Sequence, residues 1–242
     1  MPLRALAAAL ALALLASPAP ASARRRHRRA PASTVVLDGT PTAVRWVDGD
    51  TFRILDGPHR DRSARLDGYN TLESYGPVHR FAGWDPRDLL ANAKAATRAA
   101  AAGAWACALR GREDAYGRLL VACPDVAAAL VGDGLAMVYA IDHPADPGLL
   151  ALQAGAQRRR AGMWARGVPA GVVTSVHSAA ERPDGAAYDR VVDTGTGAAL
   201  KRPHGRVYGI CEEVCARTGE DVACMTYVPF ERRFRHRPWC LR

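Results

Sequence analysis

Residues 43–66 limit most strongly what this chain can fold into. Residues 43–47 and 51–55 have the composition of two strands on either side of the acidic turn at 48–50, and apolar residues alternate in the second strand. After a polar loop, residues 63–66 predict a third strand. The fold is therefore expected to begin as a three-strand meander.

Helical signals follow the meander. Asp85 has the position of an N-cap, Pro86 that of the first helical residue, and Gly103 that of the C-terminal stop. Apolar residues recur at helical spacing between these limits. Two more helices are predicted, over residues 126–131 and 148–161.

A second pair of strands completes the pattern. Residues 104–109 and 119–123 predict a hairpin around a loop that is rich in glycine and charge. Five strands with helices in the gaps predict an α+β fold, mainly β: a five-stranded barrel of the OB type with three helices, over residues 41–167. Residues 168–242 are expected to form a separate, small cysteine-rich C-terminal extension.

The N-terminal residues predict export. Arg4, the short apolar run at 5–16 and the A-x-A sequence at 21–23 are the three parts of a secretory signal peptide, residues 1–23. The apolar run is shorter than the roughly 20 residues that a membrane span requires, so no transmembrane segment is expected. We expect the protein to be secreted or periplasmic, which places its six cysteines in an oxidising compartment.

The chain is strongly basic. Lysine and arginine number 33 against 24 acidic residues, which gives a formal net charge of +9. Six consecutive basic residues, 24–29, open a predicted basic linker over residues 24–40. Such a charge suits an anionic partner such as nucleic acid or a membrane surface, although a basic surface that serves solubility has the same composition.

The cysteines predict disulfides. Cys107 and Cys123 flank the second hairpin, and we expect them to be bonded to each other. The extension contains four cysteines that allow three pairings: Cys211, Cys215, Cys224 and Cys240. Two disulfides are the favoured interpretation there, and a zinc site with His204 and His236 is the alternative.

The last residues of the extension mix cations with aromatic rings. Arginines alternate with Phe234 and Trp239 over residues 230–242. Such a mixture can stack on bases and bind phosphates, although a solvated basic end has the same composition.

Residues 47–73 bring together the groups that a phosphodiester hydrolase requires. Asp50, Asn70 and the Thr71 carbonyl offer the oxygen ligands that calcium and magnesium prefer. Arg65 can hold phosphate oxygens through parallel hydrogen bonds. Glu73 is placed to accept a proton from an attacking water.

Four motifs occur in a fixed order. They are D-G-D-T at 48–51, R-L-x-x-x-N-T-x-E at 65–73, Y-G-P at 75–77 and D-x-Y-G-R at 114–118. Together they resemble the staphylococcal nuclease (thermonuclease) family, over about residues 42–164. The resemblance implies an OB-fold barrel and a calcium-dependent hydrolase that cleaves DNA, RNA or both, and we expect a monomer.

The resemblance also implies three groups of site residues. The metal ligands are Asp50, Asn70 and Thr71. The catalytic residues are Arg65, Glu73 and Arg118. The substrate-binding tyrosines are Tyr116 and Tyr139.

Two departures from the family pattern bear on activity. Asn70 stands where the family has a second calcium-binding aspartate, so one negative charge is missing and the affinity for calcium is expected to fall. The loop between Glu73 and the Y-G-P motif is also much shorter than in the staphylococcal enzyme. The alternative function is a catalytically weak or inactive nuclease-like module that binds nucleic acid or a protein partner.

Overall fold

A computed structural model describes residues 32–181 and 186–242. The predicted signal peptide and residues 24–31 of the predicted linker lie outside the described residues. The strands are β1 (Ser33–Leu37), β2 (Thr40–Trp46), β3 (Thr51–Ile54), β4 (Ser63–Leu66), β5 (Tyr69–Thr71), β6 (His79–Arg80), β7 (Ala106–Glu113), β8 (Leu119–Ala122), β9 (Ala136–Val138), β10 (Gly171–Ser175), β11 (Ala187–Asp193), β12 (Ala199–His204), β13 (Glu213–Thr218) and β14 (Asp221–Thr226). The α-helices are α1 (Pro86–Ala102), α2 (Pro124–Gly132), α3 (Pro147–Arg158) and α4 (Phe230–Phe234).

Six strands close the barrel, in the order β1-β2-β3-β4-β8-β7. This confirms the predicted α+β fold with a barrel, and adds one strand to the predicted five. The extra strand is β1, which lies inside the segment 24–40 that the sequence assigned to a linker. Val35 and Leu37 alternate with more exposed neighbours and are buried in the barrel core, which is why these residues pair with β2 instead of remaining a linker.

The three predicted helices are present, with different limits in two cases. The Asp85 side chain accepts a hydrogen bond from the Arg87 amide at 2.8 Å, so α1 has its predicted N-cap. Helix α2 begins at Pro124, and its N-cap is Cys123. Helix α3 ends at Arg158, three residues before the predicted end, because Arg160 has a φ of 56° and cannot continue an α-helix.

The C-terminal region, residues 168–242, is not a separate unit. It forms two three-stranded sheets, β10-β11-β12 and β13-β14-β6, and β6 comes from the segment just after Glu73. Met225 of β14 pairs with His79 of β6. One buried cluster also joins Trp164, Leu89 and Met137 to residues of both sheets, since neither sheet alone can bury its apolar face.

Three disulfides are formed. Cys107 is bonded to Cys123, as predicted, and the pairs of the C-terminal region are Cys211–Cys240 and Cys215–Cys224. Among the described residues, the one group of three metal-ligating side chains with mutually close ligand atoms is Glu213, Cys215 and Cys224. Both of its sulfurs are in a disulfide, so the group offers no thiolate to zinc. Within the described residues, no helix has the length and apolar character to cross a membrane.

Candidate active site

Asp50 and Arg65 form a buried ion pair at the rim of the barrel. Thr51 pairs with Arg65 across β3 and β4, so Arg65 lies beside the turn that contains Asp50. Nη1 of Arg65 bonds to Oδ1 of Asp50, and both side chains are largely shielded from solvent. The Thr71 amide donates to Oδ2 of Asp50 at 2.7 Å, which ties β5 to the same carboxylate. The pair therefore joins three strands.

Gly49 is required for this close approach. A Cβ atom at Gly49 would lie 2.6 Å from Cγ2 of Thr71 and 2.9 Å from Cβ of Ala96. The Gly49 carbonyl also accepts a hydrogen bond of 2.8 Å from the buried hydroxyl of Tyr69. The glycine of the D-G-D-T motif thus allows the acidic turn to pack between β5 and α1.

Asp48 is a second, half-buried carboxyl group, which the sequence did not single out. Its Oδ1 accepts a hydrogen bond from the Asp50 amide at 3.2 Å. Burial, followed by the neighbouring charges of Asp50 and Glu73, raises the pKa of Asp48 well above its usual value. Burial also acts to raise the pKa of Asp50, but the charge and hydrogen bonds of Arg65 outweigh it and lower that pKa. The pKa values of Asp48 and Asp50 are therefore shifted in opposite directions.

Asn70 lies between Arg65 and the backbone of Thr71. Its Oδ1 accepts from Nη2 of Arg65 at 2.7 Å, and its Nδ2 donates to the Thr71 carbonyl at 2.7 Å. The Asn70 side-chain oxygen and the Thr71 carbonyl oxygen, which the resemblance assigns to the metal, thus both have hydrogen-bond partners. Asn70 orients Arg65 in this arrangement.

Glu73 follows β5 and lies between acidic and basic groups. Its amide donates to Nε2 of His79 at 3.1 Å. Burial lowers the pKa of His79 to about 4, so the ring is a neutral acceptor at pH 7. Burial raises the pKa of Glu73, and the charges of Arg233, Arg65 and Arg118 oppose that rise, while Asp50 adds to it. A carboxylate with a raised pKa is a better proton acceptor than an ordinary surface glutamate.

Arg118 reaches the site from the β7–β8 hairpin. Its Nε and Nη2 both lie 2.7 Å from Oδ2 of Asp114, and its guanidinium lies 5.5 Å from the ring centre of Tyr116. The parallel register of β4 and β8 places this end of the hairpin beside the start of β4. The Cys107–Cys123 disulfide links the other ends of the same two strands. Tyr116 is 58% exposed.

Tyr139 is held by both halves of the molecule. Its amide donates to the Gly68 carbonyl at 3.0 Å, and the guanidinium of Arg65 lies 5.7 Å from its ring centre. Nη1 of Arg190, on β11, donates to the Tyr139 hydroxyl at 3.0 Å. Arg190 lies far along the chain from every motif, and no sequence signal pointed to it.

The carboxyl groups are the side chains that could hold a metal ion. Asp48 and Asp50 are adjacent, Glu73 lies within their electrostatic reach, and hard cations prefer such oxygens. Burial, followed by the charges of Asp50 and Glu73, raises the pKa of Asp48, so a bound cation would stabilise the ionised form of this carboxyl group. The donor chemistry therefore fits a divalent cation, with Asp48 as a ligand candidate in addition to Asp50.

Comparison with known proteins agrees with this fold. The family model described as staphylococcal nuclease homologue matches residues 87–166, a third of the chain. The matched segment contains Tyr116, Arg118 and Tyr139, whereas the acidic turn, Arg65 and Glu73 precede it. No curated protein matches the chain.

Proposed function

Because the chain contains a staphylococcal-nuclease-like domain, we propose that it is an exported nuclease that hydrolyses phosphodiester bonds of DNA, RNA or both. The observation that carries the proposal is the position of Glu73. Its half-buried carboxyl group lies within the electrostatic reach of three guanidinium groups, those of Arg233, Arg65 and Arg118, and of the carboxylate of Asp50. A proton acceptor near several cations is what in-line attack of water on a phosphodiester needs.

Each side chain has a separate task in the proposed reaction. Glu73 accepts the proton of the attacking water, helped by its raised pKa. Arg65 is fixed by Asp50 and Asn70, so its guanidinium is oriented before the substrate arrives. Arg118 forms an ion pair with Asp114. When the substrate binds, the Arg118 guanidinium leaves that carboxylate and binds a phosphate oxygen instead.

Calcium is the cation that the family resemblance implies. When bound by Asp50 and its neighbours, it would supply positive charge against the phosphate oxygens. Asn70 and the Thr71 carbonyl are proposed as further ligands, and they become free for a metal only after their present hydrogen bonds are exchanged. Affinity for calcium is therefore expected to be low.

The decisive experiment measures cleavage by the mature protein. Linear DNA and RNA are incubated with calcium, and then with calcium plus excess EDTA, with products followed on gels. Cleavage that EDTA abolishes supports the proposal, and Arg118→Ala should lower the rate by about 100-fold or more, because a donor to the transition state is lost. Arg112→Ala is the matched control, since Arg112 is an exposed arginine of the same hairpin. Cleavage that survives in Arg118→Ala contradicts the assigned role.

A second candidate is a nuclease-like module that binds nucleic acid or a protein without cutting. It is favoured by Asn70, which lacks the charge of an aspartate and whose oxygen Arg65 already uses. DNA binding without cleavage at any calcium concentration would favour this function.

Export is proposed on the predicted signal peptide, and the three disulfides are compatible with it because such bonds persist in oxidising compartments. N-terminal sequencing of protein recovered outside the cytoplasm should begin at Arg24, and intact protein retained with Met1 would contradict it.

A further inference from the structure

The tail of the C-terminal region is packed against the loop that follows Glu73. Nη2 of Arg237 donates to the Tyr75 carbonyl, and the ring of Phe234 lies 6.3 Å from that of Tyr75, edge to face. Leu241 is buried against Gly76, where an added Cβ would come within 2.3 Å of its Cδ2. The Cys211–Cys240 disulfide fixes the tail in this place. Helix α4 is thus held at the edge of the candidate active site.

Arg233 is the cation that α4 brings to this edge. Its guanidinium lies 4.7 Å from the ring centre of Tyr75, and its Nε donates to the Val228 carbonyl at 3.1 Å. The guanidinium also lies 5.8 Å from the ring centre of Phe230, and these three contacts fix the direction of the side chain. In residues 32–181 and 186–242, no hydrogen bond or ion pair uses its remaining N–H groups. A half-buried guanidinium with unused donors is prepared to bind an anion.

The contact with Tyr75 places Arg233 on the same side of the molecule as the site, because Tyr75 lies two residues after Glu73. The group therefore lies within the field that a substrate phosphate would enter, although it comes from a part of the chain that the family match does not include.

Exposed aromatic rings flank Arg233. Phe230 is 72% exposed and Phe234 is 59% exposed, and they lie on either side of Arg233 in α4. Large aromatic side chains are more often buried, so two of them on one short helix beside a cation require a reason. Aromatic rings next to arginines bind unpaired nucleic acid, since every base has a face that can stack and every nucleotide has a phosphate.

We propose that Phe230, Arg233 and Phe234 form a binding site for single-stranded nucleic acid beside the scissile phosphate. Arg233 binds a phosphate of the strand, and the two phenylalanines stack on its bases. This inference rests on the proposed function, which makes nucleic acid the ligand. It adds that the C-terminal region binds the substrate directly.

The test measures binding without cleavage. A fluorescent 12-nucleotide oligothymidine is titrated into the full chain in EDTA at several salt concentrations. Arg233→Ala should weaken binding about tenfold at low salt and reduce the slope of log K against log salt by about 0.7, the value for one phosphate of a single strand. Phe234→Ala should weaken binding about tenfold with the slope unchanged, because stacking releases no counterion.

Arg235→Ala is the matched control, since Arg235 is an exposed arginine of the same tail. Its effect should be less than twofold. Equal effects of Arg233→Ala and Arg235→Ala would mean that only the general basic charge of the tail matters, and would overturn the proposal. The proposal would also be overturned if Arg233→Ala weakened the binding of duplex DNA as much as the binding of the single strand. Arg233→Lys, which keeps the charge, should keep the salt slope, and a slope lost in that variant would contradict a phosphate contact.

The outcome is separable from that of the proposed function. A wild-type protein that binds through Arg233 but does not cleave would contradict the nuclease proposal alone. A protein that cleaves while Arg233→Ala binds normally would contradict this inference alone.

Discussion

The barrel and the C-terminal region contribute to the candidate site in different ways. The barrel provides Asp50, Arg65 and Arg118, which lie in short motifs at turns and strand ends. The C-terminal region provides Arg190 and Arg233, which lie in segments without any motif. Asp50 and Arg65 of the barrel contact each other directly, whereas the two arginines of the C-terminal region reach the site through Tyr139 and Tyr75.

A recognisable motif and a complete site are therefore not the same thing in this protein. The polar groups of the motifs define the chemistry, and a reader of the sequence can find them because turns fix their spacing. The loop after Glu73 is held from outside the barrel, by β14 and by the tail. Substrate access and the position of Glu73 therefore depend on residues more than 140 positions away from it.

The largest expected effect comes from removing the C-terminal region. A chain that ends at residue 167 lacks Val172, Val191 and Met225, which are buried with Leu89 and Trp164 in one core. We expect it to show no cooperative thermal unfolding by circular dichroism, because a large apolar surface is left without a partner. Met225→Ala in the full chain should show a graded loss of about 2–5 kcal/mol. A truncated barrel that melts cooperatively would show that the two regions are separable after all.

The Cys211–Cys240 disulfide tests how much the tail supports the site. The bond spans 29 residues, and replacing both cysteines by alanine should cost about 3 kcal/mol of stability in urea unfolding. Cleavage should fall as well, because Leu241 and Arg237 then no longer hold the loop after Glu73. The matched control is removal of Cys215–Cys224, which should lower stability with a smaller effect on cleavage. If the two double variants lose cleavage equally, the tail has no particular role at the loop.

His79 lies at the boundary of the two regions and should make stability depend on pH. Its folded pKa of about 4 lies below the ordinary value of 6.5, so the unfolded chain binds a proton between these values and the native protein does not. Stability from this residue is full above pH 6.5 and is lost as the pH falls towards 4, by about 2 kcal/mol between pH 7 and pH 5. Urea unfolding at both pH values should show a smaller difference for His79→Gln than for wild type. An equal difference in both proteins would mean that His79 titrates normally when folded.

The smallest effect concerns the barrel alone. Asn70→Asp adds the missing charge and removes the donor to the Thr71 carbonyl, so the calcium concentration for half-maximal cleavage should fall about fivefold. Asn70→Ala, which removes the oxygen without adding a charge, should raise that concentration. Calcium titrations that give the same midpoint for all three proteins would show that residue 70 is not a ligand.

The sequence was most informative where structure is local. The meander and α1 could be predicted because alternation, an N-cap aspartate and a proline act within a few residues. Strand β1 could not, since it directly follows a basic segment and its pairing with β7 is a long-range contact. The pairing of β6 with β14 could not be predicted either, because a two-residue strand carries no pattern of its own.

The candidate site divides in the same way. Asp50 and Arg65 were predicted together, and the structure brings them into an ion pair. Asp48 was passed over because an aspartate at a hairpin turn is ordinary, and its burial comes from packing that a turn sequence does not reveal. Arg233 was visible only as one of several arginines in a basic tail, and nothing in that composition says which one meets Tyr75.

The contact between Gly76 and Leu241 determines when, during synthesis of the chain, the candidate site can be completed. A ribosome adds about 5–20 residues per second, so Leu241 is made roughly 10–30 s after Gly76. Once β8 has been made, all the barrel strands exist, while the loop after Glu73 still has no tail to pack against. The chain therefore reaches its working form only after nearly all of it has been synthesised, and a nascent or prematurely ended chain has the motifs of the site without its geometry.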